Sequence, residues 1–201
     1  MSEQKHQIMA AFGGKRGLID NGLPSTLFLI SFMISKDLKL SIYLSIALSV
    51  LLTILRLLKR ETLQHAISGL IGVLICAWFA RSSGKAVDYY LPSLWKNLAY
   101  LVAYSASAIS GWPLIGILLG PILGENFHWR KVAARRRVYV LASWAWAAMF
   151  AIRIVIMYPL WKAEKLEYLG FASLVLGYPL FLLTVWVTWL IIKSEPVAKE
   201  Q

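Results

Sequence analysis

Apolar residues in this chain fall in long unbroken runs separated by short polar stretches. They show neither the two-residue alternation of a half-buried strand nor the narrow stripe of a water-facing helix. Six runs stand out, at residues 23–35, 40–58, 66–80, 93–110, 138–160 and 168–192. A helix needs roughly 20 apolar residues to cross a bilayer. The first run is short and calls for flanking residues or a thinned bilayer, with Pro24 suited to its first turn. Lys36-Asp37-Leu38-Lys39 reads as a tight polar connection. Residues 81–92 read as a loop whose Tyr89-Tyr90 pair suits a membrane interface. The pattern predicts an all-α polytopic membrane protein. A single transmembrane domain at 23–192 lies between a cytoplasmic segment at 1–22 and a cytoplasmic tail at 193–201. Within the first segment, residues 8–12 are expected to form a short interfacial helix before Gly13-Gly14.

Between the fourth and fifth runs lies a stretch of a different kind. Gly111-Trp112-Pro113 breaks the fourth helix. A shorter apolar piece follows, with Gly116, Gly120 and Gly124 at every fourth position, and then the dense positive cluster from Arg130 to Arg137. If 111–124 crossed the membrane there would be seven spans, and the cluster would face outward. With six spans and the N-terminus inside, Lys and Arg favour the inner segments by roughly two to one, as the positive-inside rule expects. The segment therefore reads as a short re-entrant or interfacial helix after the fourth span, and both termini as cytoplasmic.

Composition agrees with this reading. Hydrophobic residues make up 59% of the 201, and mean hydropathy is +0.63, whereas soluble domains are about 45–50% apolar. The first twenty residues carry Lys5, Lys15 and Arg16 without a continuous apolar core, so insertion is expected through the first span and not through a cleaved signal. The net charge of +11 fits helix ends resting against anionic headgroups better than nucleic acid, for which no soluble basic face exists. Cys76, the single cysteine, excludes an internal disulfide.

No reaction is written in the sequence. Every Asp, Glu and His falls in an expected loop or tail, which disfavours proton coupling through an intramembrane acid. Ser105, Ser107 and Ser110 have no histidine in their span to activate them. A non-enzymatic protein without cofactor or metal is expected. Arg153 is the one ionisable residue well inside a span. It reads either as a fixed charge binding an anionic headgroup or solute, or as an arginine snorkelling to the interface or held by backbone carbonyls. Asp88 is its expected partner, with Glu164 and Glu167 as second choices. Arg56 reads as an interfacial anchor. Gly116, Gly120 and Gly124 form a bare helix face, suited to close packing or to lining a path, and Pro113 at the preceding break is a candidate functional residue with them.

Several motifs resemble a known family. Gly13-Gly14-Lys15-Arg16-Gly17-Leu18-Ile19-Asp20-Asn21-Gly22-Leu23-Pro24 resembles the opening of an actinobacterial integral membrane family, domain of unknown function 3159. Arg56-Leu57-Leu58-Lys59-Arg60-Glu61, Trp112-Pro113-Leu114-Ile115-Gly116, Phe150-Ala151-Ile152-Arg153 and Gly177-Tyr178-Pro179-Leu180 resemble its later blocks. The order of parts is also similar to the intracellular septation protein A family: Leu23-Pro24, a span ending at Arg56 to Arg60, Pro113-Leu114-Ile115, then two helices. That second resemblance implies a role in the envelope or septation at the bacterial cytoplasmic membrane. Its expected partners are anionic lipid headgroups and envelope or division membrane proteins, with self-association open. A small channel or transporter for ions or anionic solutes is the rival reading.

Overall fold

The computed structural model describes the backbone of residues 14–59 and 63–194 and the side chains of residues 22–59 and 67–194. The interfacial helix expected at 8–12 and most of the tail lie outside these residues. All regular structure among the described residues is helical: α1 Gly14–Ser35, α2 Leu38–Leu58, α3 Leu63–Ser83, α4 Leu91–Ile109, α5 Leu114–Ile122, α6 Ala133–Lys162, α7 Leu166–Val175 and α8 Tyr178–Lys193. Two 3₁₀ turns, Ala86–Tyr90 and His128–Arg130, precede α4 and α6. By length and composition, Leu38–Leu58, Ala133–Lys162 and Leu166–Lys193 can each cross a membrane, and a fourth crossing exists if the bent pair of α4 and α5 counts as one. Gly22–Ser35 and Ile67–Ser83 are shorter apolar helices.

Chain contacts gather into two compact units. One comprises residues up to Leu94 with Met157–Leu174; the other comprises Trp95–Ile156 with the residues from Val175.

In the first unit, Asp37 starts α2 by accepting from the amides of Lys39 and Leu40 at 2.8 and 3.2 Å, which satisfies two orphan donors of the first turn. Lys36, just before it, takes a left-handed φ of 54°. α2 is polar inside and apolar outside. Ser41, Ser45, Ser49 and Thr53 recur every fourth residue on its buried face, while Tyr43, Leu51, Ile54 and Leu58 point outward. Small residues let backbones approach, and an apolar exterior suits lipid. The hydroxyls of Ser41, Ser45 and Thr53 donate to carbonyls of their own helix or its cap, so these three are satisfied without water. Phe28 of α1 stacks on Tyr89 with ring centroids 3.9 Å apart. Gly170 of α7 lies so close to Leu29 that a Cβ there would come within 2.4 Å of it.

Three expected boundaries differ. Pro24 lies inside α1, not in its first turn, because the helix begins at Gly14. Its ring is buried, and the Thr26 hydroxyl supplements the same stretch by donating to the Gly22 carbonyl at 2.8 Å. α6 begins at Ala133, so Arg135, Arg136 and Arg137 belong to a helix and not to a loop. The run at 168–192 is interrupted between Val175 and Tyr178, where Pro179 has no N–H with which to continue the ladder.

In the second unit, α4 and α6 meet along matched stripes. Tyr100 packs on Phe150 with centroids 5.0 Å apart, and Tyr104 on Trp146 at 5.7 Å. Trp146 also donates its indole N–H to the Thr188 hydroxyl of α8 at 2.9 Å and meets Phe181 edge-on. After Ile109 the chain turns at Gly111, whose φ is +71°. α5 then departs at 81° from the Ala86–Ile109 segment.

Candidate functional site

α5 has nine residues, too few to be stable alone in water, and other elements hold it at every point. Its first amides need acceptors from outside the helix. Leu114 N–H donates to Ser107 Oγ of α4 at 3.2 Å, and Ile115 N–H to Ser143 Oγ of α6 at 3.3 Å. The next two amides, of Gly116 and Ile117, return to the Pro113 carbonyl. The helix start is therefore satisfied by protein groups.

The glycine face is filled. A Cβ on Gly116 would lie 2.9 Å from the Trp129 ring, and one on Gly120 would lie 2.8 Å from Trp129 Nε1 and 2.4 Å from the Asn126 carbonyl oxygen. Packing is thus what Gly116 and Gly120 do. Gly124 is not on that face. It sits past the helix end with φ +72°, its N–H bonded to Pro121 O while Glu125 N–H reaches Gly120 O at 2.8 Å. This is a Schellman cap, a position that favours glycine.

Beyond the cap is a group the sequence did not single out. Glu125 and Arg135 are both fully buried. Arg135 Nε donates to Glu125 Oε1 and Oε2 at 2.9 and 3.1 Å, and Nη2 donates to Oε1. Nη1 donates to the Ile192 carbonyl at 2.7 Å, one of the last carbonyls of α8 that have no helical partner. The Tyr139 ring lies 5.0 Å from the guanidinium carbon, and Trp129 meets Tyr139 edge-on. One arginine thus ties together the end of α5, the start of α6 and the end of α8. A cation in the first turn of a helix opposes the macrodipole, and the Glu125 carboxylate offsets it. In sequence, Arg135 is hidden among four other basic residues. The available hint was an acid directly after a glycine-capped helix, with an aromatic four residues beyond the arginine.

Arg130, in the same cluster, lies flat over Trp112, 3.4 Å from the ring centroid. Lys131, Arg136 and Arg137 are exposed. The cluster therefore divides into one internal charge, one stacked charge and three that face outward.

Asp88 is buried and accepts the Trp161 indole N–H at 2.7 Å. Glu164 pairs with Lys85, and Glu167 lies 3.8 Å from Lys36. These acids, expected to serve Arg153, are engaged by other residues of their own unit. The Glu164–Lys85 bond and charge raise the Lys85 pKa. A cavity of about 360 Å³ beside them is lined by Phe32, Met33, Glu164, Tyr168 and their neighbours. Arg56 is half-buried in the last turn of α2, where a cation complements the helix dipole.

Arg153 is half-buried, and its Nε has no hydrogen-bond partner among the described residues. Asn97, which sequence reasoning passed over, is 0% exposed, and neither its Nδ2 nor its Oδ1 has a partner there.

The profile of a family described as a protein of unknown function, DUF3159, matches residues 12–199. The chain belongs to the DUF3159 family. The match spans all the motif blocks noted above, so in this DUF3159 chain the Trp112-Pro113 break, the α5 glycines and Arg153 all lie within the family region. No curated protein and no solved structure matches it.

Proposed function

We propose that this DUF3159 chain is a non-enzymatic, multi-pass protein of the bacterial cytoplasmic membrane. It has six crossings, cytoplasmic termini and a re-entrant or interfacial α5, and it serves envelope maintenance or septation by presenting a rigid helical framework. The Glu125–Arg135–Ile192 clasp carries this reading. The most deeply buried charges join helix ends to one another, the arrangement of a load-sharing framework. Trp129 filling the Gly116 and Gly120 face argues against a path along α5. The expected partners are anionic headgroups and other envelope or division membrane proteins.

A deletion strain tests the role. Altered cell length or sensitivity to wall-active agents is expected. A normal envelope with loss of uptake of one solute would reject it. Topology is tested by labelling a single cysteine at position 133 in a Cys76→Ser background. An impermeant reagent should label it only after cells are opened, and labelling in intact cells would overturn the six-span arrangement.

A second reading, a small channel or transporter for ions or anionic solutes, is favoured by Asn97 Nδ2 and Oδ1 and Arg153 Nε, which have no hydrogen-bond partner among the described residues. A solute-specific uptake defect in the deletion strain would select it.

A further inference from the structure

The stripe that joins α4 to α6 can be read residue by residue. Ser107 and Ser143 both bond the start of α5. Next along the stripe, Tyr104 stacks on Trp146. One turn further, Tyr100 packs on Phe150. Each step of three or four residues back along α4 is matched by an equal step forward along α6, which is the spacing of one helix face. The next step on each side reaches Asn97 and Arg153. The register thus brings to one level a fully buried amide and an arginine whose Nδ2, Oδ1 and Nε have no partner among the described residues.

Charge points the same way. Glu125 is the only carboxylate among the described residues of this unit, and Arg135 already holds it. Arg153 therefore has no free counter-anion among the described residues of its own unit. An uncompensated cation and an orphaned amide inside an apolar helix pair are each costly, and one occupant can relieve both.

We propose that Asn97 and Arg153 form a binding site for an oxyanion that also carries a hydroxyl. The anionic oxygens accept from Arg153 and from Asn97 Nδ2. The hydroxyl donates to Asn97 Oδ1. A phosphatidylglycerol headgroup and inorganic phosphate share this chemistry; a choline headgroup lacks the hydroxyl and carries a compensating cation. The proposal does not depend on an envelope role, since either a resident lipid or a passing solute would use the same atoms.

The test uses the purified full-length chain in detergent, with phosphatidylglycerol, phosphatidylcholine and inorganic phosphate as separate probes and native mass spectrometry as the readout. Phosphatidylglycerol or phosphate should bind at one saturable site, at least about ten-fold tighter than phosphatidylcholine, the scale of one hydrogen bond to a charged group. Binding by phosphate alone, with displacement of lipid, identifies a free anion; binding of phosphatidylglycerol undisturbed by phosphate identifies a lipid. Arg153→Gln and Asn97→Leu should each lose about ten-fold, while Arg136→Gln, on an exposed residue, should not. Asn97→Asp guards against misfolding: it supplies Arg153 with a built-in carboxylate, so the protein should keep or raise its melting temperature and no longer be stabilised by the probe. Saturable binding that survives Asn97→Asp and Arg153→Gln, or no preference for an anionic probe, overturns the proposal.

Discussion

Arg135 and Glu125 stand ten residues apart in sequence and face each other fully withdrawn from solvent, joined through Nε and Nη2 of the guanidinium. Removing one member of a buried ion pair strands the other charge, at a cost of about 3–5 kcal/mol, whereas replacing both with apolar groups is often neutral. Glu125→Ala or Arg135→Leu should each destabilise the purified protein by that amount. Glu125→Leu combined with Arg135→Met should recover most of the loss. A residual deficit of about 1–3 kcal/mol is expected from the abandoned Ile192 carbonyl. Thermal unfolding in detergent of the two single variants and the double variant checks this; a double variant as unstable as the sum of the singles would show that the pair is not coupled.

The three glycines of the α5 region should respond differently because each is constrained differently. Gly120→Ala meets a backbone oxygen at 2.4 Å and should cost about 1–3 kcal/mol through overpacking. The nearest atoms that Gly116→Ala meets are those of the Trp129 ring, so Trp129→Phe should relieve it in part. Gly124→Ala meets nothing within 4 Å yet must hold φ +72°, at a cost of about 1–2 kcal/mol that Trp129→Phe should leave unchanged. Melting temperatures of the singles and of their pairs with Trp129→Phe separate crowding from backbone strain.

Ser107 and Ser143 act as caps supplied from two other helices. Loss of a helix cap typically costs about 1 kcal/mol. Ser107→Ala and Ser143→Ala should each lower stability by that order, and hydrogen exchange at the Leu114 and Ile115 amides should quicken in the matching variant. Unchanged exchange at both amides would refute this capping role.

In the other unit, Trp161→Phe keeps an aromatic side chain, though a smaller one, and removes the indole donor to the buried Asp88 carboxylate. A buried acceptor left without its donor costs about 1–3 kcal/mol. The companion variant Asp88→Asn should cost less in the Trp161→Phe background than alone, because the bond has already gone.

What the sequence disclosed was local. The Leu38–Leu58 helix follows from one apolar run and one aspartate, and the turn before α5 follows from Gly111-Trp112-Pro113, because these rules act over a few residues. Arg135 escaped because its partner is set by a third helix, and basic residues in a row look alike until packing separates them. Gly124 shares its spacing with Gly116 and Gly120 but lies one residue past the cap, and spacing alone does not show where a helix ends. Asn97 was invisible for another reason: an asparagine in an apolar run is unremarkable until the packing around it shows that neither of its polar atoms has met a partner.

The clasp at Arg135 also sets an order of events. α5 is synthesised before Ser143, Arg135 and Trp129 exist to hold it, and the last acceptor of Arg135, the Ile192 carbonyl, comes 57 residues after Arg135 itself. A ribosome that has made residues 114–122 has made a helix that cannot yet stand. The segment gains its partners only as α6 and α8 follow. Closure of the clasp is therefore a late event: a nascent chain that has not yet reached Ile192 carries a guanidinium whose last bond is unmade.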